Sequence, residues 1–182
     1  LTVPVSVFTG LPGTGKTTTL RAAVSVLKDA SIPFLLVAPT GIAAKRLASV
    51  TGSDASTVHR AFAAKGWKKD ASERESTYVG IVGLEQGTSD DDTKKQEWGH
   101  GPENPHPAQV VIVDESSMLD LHMLYRLLQG TLPTCRMVFV GDPFQLPSVG
   151  AGDVLRDLAA SKAFPHTHLH EIFRQEGTSG IV

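Results

Sequence analysis

The stretch "VSVFTGLPGTGKTTTL" (residues 5–20) runs from an apolar segment through glycine and proline to one lysine and three threonines. Its first residues are Val- and Phe-rich and end at turn formers, which predicts a strand over 5–8. After Lys16, the residues Leu20, Ala23, Val24 and Leu27 recur at helical spacing. Between strand and helix, "GLPGTGKT" (residues 10–17) satisfies G-x-x-x-x-G-K-[ST]. Glycines there leave main-chain N–H groups free to turn inward on phosphate oxygens, where β-carbons would obstruct the turn or the anion. The helix opening near Lys16 adds the positive end of its dipole.

Gly10, Pro12, Gly13, Thr14, Gly15, Lys16, Thr17 and Thr18 therefore form a candidate nucleotide cradle. The Lys16 ammonium is expected on the β- and γ-phosphates of ATP, and the Thr17 hydroxyl on Mg²⁺.

Further short apolar runs predict strands over 34–38, 110–113 and 137–140, and Leu121, Leu124, Tyr125 and Leu128 predict a helix after Asp120. Continuous apolar strands suit a parallel sheet covered on both faces. Alternation of strand and helix predicts an α/β fold, a doubly wound, mostly parallel sheet with helices on both faces.

In such a sheet ligands gather at the carboxyl ends of the strands. "QVVIVDESSMLD" (residues 109–120) places Asp114 and Glu115 at that edge, the first to hold Mg²⁺ and the second to take a proton from an attacking water. Capping of the following helix by these residues, or by Ser116 or Ser117, is the structural alternative. "MVFVGDPFQLPSVG" (residues 137–150) ends a strand in the same way, and Gln145 is the candidate to sense the γ-phosphate and orient water.

A net charge of −2 gives no electrostatic footprint for nucleic acid, so any DNA contact must come from local groups. The single cysteine, Cys135, excludes an internal disulfide and reads as a small buried residue. No stretch is long and apolar enough to cross a bilayer, and a cytoplasmic protein without membrane association is expected. His166, His168 and His170 alternate, which puts them on one face of a strand. No carboxylate or cysteine completes a metal site in the sequence around them, and an exposed strand explains them.

The motifs, taken together, resemble the superfamily-1 DNA helicases, in particular the RecD-like branch that includes the exodeoxyribonuclease V alpha subunits. "GLPGTGKTTT" resembles motif I, "APTGIAAKRL" (residues 38–47) motif Ia and "STVHRAF" (residues 56–62) motif Ib. "VIVDESSMLD" resembles motif II, "FVGDPFQLPSVGAGDVL" motif III and "LHEIFRQ" (residues 169–175) motif IV.

The resemblance implies a RecA-like P-loop NTPase domain over 1–182 that works in a 5′-3′ DNA helicase of recombination and repair. It implies Lys16, Glu115, Gln145 and Arg174 as the catalytic set, with Arg174 stabilising charge on the γ-phosphate. Pro39, Thr40, Gly41, Thr57 and His59 are implied to contact the backbone of single-stranded DNA, with Lys45, Arg46 and Arg60 as further contributors. Residues 65–107 are polar and occupy the place of a strand-separating hairpin; a pin-like or partly disordered insertion is expected, in which 76–82 pairs with 96–100.

Motifs V and VI and a second RecA-like domain are missing from this chain, so a fragment of a larger helicase is expected, one that hydrolyses ATP slowly at most and does not unwind DNA alone. Nuclease or helicase subunits are the further partners implied. The helicase part of a conjugative relaxase or phage helicase, an RNA helicase or unrelated P-loop ATPase, and a non-catalytic nucleotide-binding module remain the alternatives.

Overall fold

Six short strands, β1 (Val5–Gly10), β2 (Phe34–Ala38), β3 (Ala55–Thr57), β4 (Val110–Val113), β5 (Arg136–Gly141) and β6 (His166–Leu169), make one sheet in the computed structural model, which describes residues 3–62 and 99–172. Their order is β3-β2-β4-β5-β1-β6, and every neighbouring pair is parallel. All six carboxyl ends therefore face the same edge.

The sheet buries both faces, and the strand alternation divides the core accordingly. Val111 and Val113 of β4 join Val7, Val37 and Phe139 on one face, packed with Phe62, Leu127 and Leu155 of α3 (Val58–Phe62), α4 (Leu121–Gln129) and α5 (Val154–Ala160). Val110 and Ile112 join Leu36 and Val140 on the other, under Leu20, Val24, Leu27 and Leu47 of α1 (Lys16–Asp29) and α2 (Gly41–Thr51). The doubly wound α/β fold expected from the sequence is the one observed.

Differences lie at the edges. β1 extends to Gly10 and β5 spans one residue more at each end than its apolar run. β3 is the short triplet "AST", which has no apolar run to announce it, and in the sheet it borders only β2. The stripe expected along α4 is not a core stripe: Leu121, Tyr125 and Leu128 are at least half exposed, and Leu127 is the buried residue.

The insertion's expected hairpin falls almost wholly on residues 63–98, outside the described residues. At its root the Gly99 and His100 N–H groups donate to Phe62 O at 2.8 and 3.2 Å, so the chain returns to the end of α3 from which it departs. Cys135 is buried, as its type suggests, and burial pushes its thiol up.

Candidate active site

The cradle begins where β1 ends. Gly13 and Gly15 have φ of +83° and +88°, a region costly to residues with a β-carbon. Gly10 is needed for a different reason, since a β-carbon there would lie 2.5 Å from Thr14 Oγ1. Thr14 is buried and ties the loop across itself, donating from Oγ1 to Leu11 O at 2.8 Å. Lys16 Nζ donates to Gly10 O at 2.5 Å and to Leu11 O at 3.0 Å, which holds the ammonium within the loop.

The start of α1 is unlike those of α2 and α4. Thr40 caps α2 by accepting from Ala43 N, and Asp120 caps α4 by accepting from Met123 N. α1 opens at Gly15 with no side-chain cap and no acidic residue in its first turn. Among the described residues no side chain caps its first N–H groups, and the positive dipole end fits a phosphate chain.

Two strands away, Asp114 follows β4. Burial pushes its carboxyl above the ordinary carboxylate value; the Glu115 N–H, Arg46 and Lys16 oppose this, and the Glu115 charge adds to it. β1 and β4 run parallel with only β5 between them, so the Lys16 loop and Asp114 leave the sheet at the same edge. Asp114 and the half-buried Thr17 supply hard oxygen donors of the kind Mg²⁺ takes.

Glu115 has φ +52°, a left-handed conformation that is strained for a residue with a side chain. It precedes the 3-10 turn Ser116–Met118 without a side-chain cap hydrogen bond, so helix capping does not account for its carboxylate. Arg46 Nη1 of α2 lies 3.8 Å from Glu115 Oε1.

The strand between these motifs joins them. A β-carbon on Gly141 of β5 would lie 3.2 Å from the Ser116 and Ser117 nitrogens and 2.7 Å from Leu155 Cδ2, so glycine permits β5 to approach the acidic corner. The buried Asp142 folds the next turn, its Oδ1 accepting from Phe144 N at 2.9 Å and its carbonyl from Gln145 N at 3.1 Å. Gln145 is anchored by its main chain and exposed in its side chain. Arg174 lies outside the described residues.

Toward β3 the edge changes character. Thr40 Oγ1 and Thr57 Oγ1 each accept an N–H, from Ala43 and Arg60 at 3.2 Å, which leaves each hydroxyl proton free to donate. Pro39 is buried and Gly41 exposed. His59 is half-buried; burial lowers its basicity ahead of Asp120, which raises it, and His122, which lowers it.

Sequence reasoning missed the Arg46–Glu115 pair and Thr9, whose hydroxyl meets His166 and His168. Only the alternation of the histidines hinted at the last.

Residues 2–181 match the AAA domain family. The chain is 35% identical over 176 residues to the ATP-dependent RecD2 DNA helicase of Deinococcus radiodurans, covering 97% of this chain and 20% of that protein. It is 35% identical over 169 residues to the RecBCD enzyme subunit RecD of Haemophilus influenzae, covering 91% of this chain and 25% of the relative. The chain thus spans about a fifth to a quarter of these curated relatives. The Pif1 helicase structure from Candida albicans superposes with a TM-score of 0.55 at 28% identity, over 95% of this chain and 37% of that one.

Proposed function

Because the chain belongs to the AAA domain family and is a RecD-like motor domain, we propose that it binds and hydrolyses ATP as the N-terminal motor of a 5′-3′ DNA helicase. The observation that carries this reading is that the Lys16 loop and the Asp114–Glu115 corner leave the sheet at the same edge, with only β5 between their parallel strands.

The N–H groups at the start of α1 bind the phosphate chain, and the Lys16 ammonium leaves its two carbonyl partners for the β- and γ-phosphates. Thr17 and Asp114 would hold Mg²⁺, which would supply neutralisation of the phosphate charge. Glu115, held in a strained turn beyond Asp114, accepts the proton of the attacking water. Gln145 orients that water, and Arg174 meets the charge developing on the γ-oxygens.

Pro39, Thr40, Gly41, Thr57 and His59 form the single-stranded DNA face. The Thr40 and Thr57 hydroxyls donate to phosphates, a sequence-blind contact compatible with a net charge of −2. His59, kept neutral by burial, contributes a hydrogen bond rather than a charge. A second RecA-like domain completes the motor, and nuclease or helicase subunits are its assembly partners.

The deciding experiment is ATP hydrolysis and unwinding of 5′-tailed and 3′-tailed duplexes by the full-length parent. DNA-stimulated hydrolysis and unwinding from the 5′ tail support the reading, and unwinding confined to 3′ tails or hydrolysis indifferent to Lys16→Ala refutes it.

A further inference from the structure

Thr9 is wholly buried in β1, one residue before the cradle, and its hydroxyl stands between two imidazoles of the edge strand β6. Thr9 Oγ1 is 2.7 Å from both His166 Nε2 and His168 Nδ1. Thr9 pairs with His168 in the parallel register, and His166 stands two residues earlier on the same face. A hydroxyl has one proton, which it can donate to one ring while accepting an N–H from the other. Two neutral rings of complementary tautomer satisfy all three groups.

What β6 does beyond this bridge is cover the cradle. A β-carbon on Gly10 would lie 3.0 Å from Leu169 Cβ and 3.2 Å from Leu169 O, and one on Gly13 would lie 3.5 Å from Ile172 Cγ2. The first and fourth residues of the phosphate loop therefore rest on the strand and tail that the bridge holds in register.

We propose that Thr9, His166 and His168 are positioning residues of the nucleotide site, a hydroxyl-bridged imidazole clip that keeps β6 against the phosphate loop and is weakened once both rings carry a charge. The proposal rests on the nucleotide-binding reading given above. Two charged rings would both be donors toward one oxygen, with like charges on rings whose centroids are 6.2 Å apart. Among the described residues no cluster of three or more histidine, cysteine or acidic side chains has metal-holding geometry.

The surroundings of His168 favour its neutral form. Desolvation pushes His168 below the ordinary imidazole value, and His170, His166 and Lys16 act in the same direction, while Asp142 alone opposes them. A folded value below the unfolded one means that the contribution is fully present above the ordinary imidazole range and is lost as pH falls through the folded value.

The test measures binding of a fluorescent ADP analogue with Mg²⁺ to the full-length parent from pH 8 to pH 5.5, together with amide exchange over residues 166–169. The wild type should lose affinity roughly three- to tenfold on acidification, the scale of one or two neutral hydrogen bonds, while exchange of β6 rises beyond its intrinsic rate. Thr9→Val should bind weakly with a flat pH profile and an unprotected β6, and Thr9→Ser should restore both. His168→Gln repeats the comparison if Thr9→Val does not fold. Wild-type affinity and pH dependence in Thr9→Val overturn the proposal, as does a response of β6 exchange without any response of affinity. Failure of the wild type to bind nucleotide at every pH instead removes the nucleotide reading on which the clip depends.

Discussion

Arg46 of α2 places Nη1 3.8 Å from Glu115 Oε1, so the segment proposed to hold DNA shares a charge with the carboxylate proposed to activate water. The Arg46 side chain is 67% exposed, and an exposed pair of this kind contributes at most about 1 kcal/mol. Arg46→Ala should therefore leave the melting temperature of the full-length parent almost unchanged. Its effect should fall on coupling: stimulation of ATP hydrolysis by single-stranded oligonucleotides should drop severalfold, because the guanidinium that ties the proposed DNA-binding segment to Glu115 is lost. Steady-state hydrolysis with and without oligonucleotide measures this. Undiminished stimulation would exclude Arg46 from the link.

Lys16 and Glu115 should fail in different ways. Lys16→Ala removes the ammonium from the loop and should abolish detectable nucleotide binding. Glu115→Gln keeps the shape of the corner and should bind nucleotide normally while hydrolysis falls by about 10²- to 10⁴-fold, the usual contribution of a positioned base. Equilibrium binding and single-turnover hydrolysis separate the two, and a Glu115→Gln protein hydrolysing at the parental rate would take Glu115 out of its role.

Gly141 is the point where β5 meets the acidic corner. Its added β-carbon in Gly141→Ala would lie 2.7 Å from Leu155 Cδ2 and 3.2 Å from the main-chain nitrogens of Ser116 and Ser117. Leu155 can rotate away, but the two backbone atoms cannot move without the corner itself. A destabilisation of about 1–3 kcal/mol is expected, typical of overpacking, together with a larger loss of hydrolysis than of nucleotide affinity. Denaturant melts and kcat against KM test this, and equal losses in both would mean that the corner had not moved.

The centre of this fold was legible from sequence because the central strands are apolar runs bounded by turn residues, and a strand buried on both faces can have no other composition. The phosphate loop was legible because its glycines are required by backbone conformation, a constraint written in residue type. β3 escaped because an edge strand of one alanine and two hydroxyl residues carries too little hydrophobic signal. On α4 the spacing of Leu121, Tyr125 and Leu128 revealed an apolar stripe but not what lies against it. The Thr9 bridge joins residues 157 and 159 positions apart, and nothing in either segment alone announces the other.

His106, near the root of residues 63–98, gives a pH dependence of calculable sign. Its Nδ1 accepts from Ala108 N at 3.1 Å, its main-chain N–H donates to Gly130 O at 2.8 Å, and its ring stands 5.0 Å from that of His100 and 6.1 Å from that of Phe62. Burial, then the proximity of His100, lowers its pKa from the ordinary 6.5. Only the ring with a bare Nδ1 can accept from Ala108, so protonation both breaks that bond and charges a buried ring. The unfolded segment takes up the proton first as pH falls, so the stabilisation is complete above pH 6.5 and is lost as pH drops through the lower folded value. Amide exchange over residues 99–108, corrected for intrinsic rates, should accelerate about fivefold between pH 7.5 and pH 5.5, the scale of one hydrogen bond. In His106→Phe, which keeps ring packing against Phe62 but has neither acceptor nor titration, exchange should be faster at pH 7.5 and insensitive to acid. Acid sensitivity persisting in that variant would assign the effect to another group.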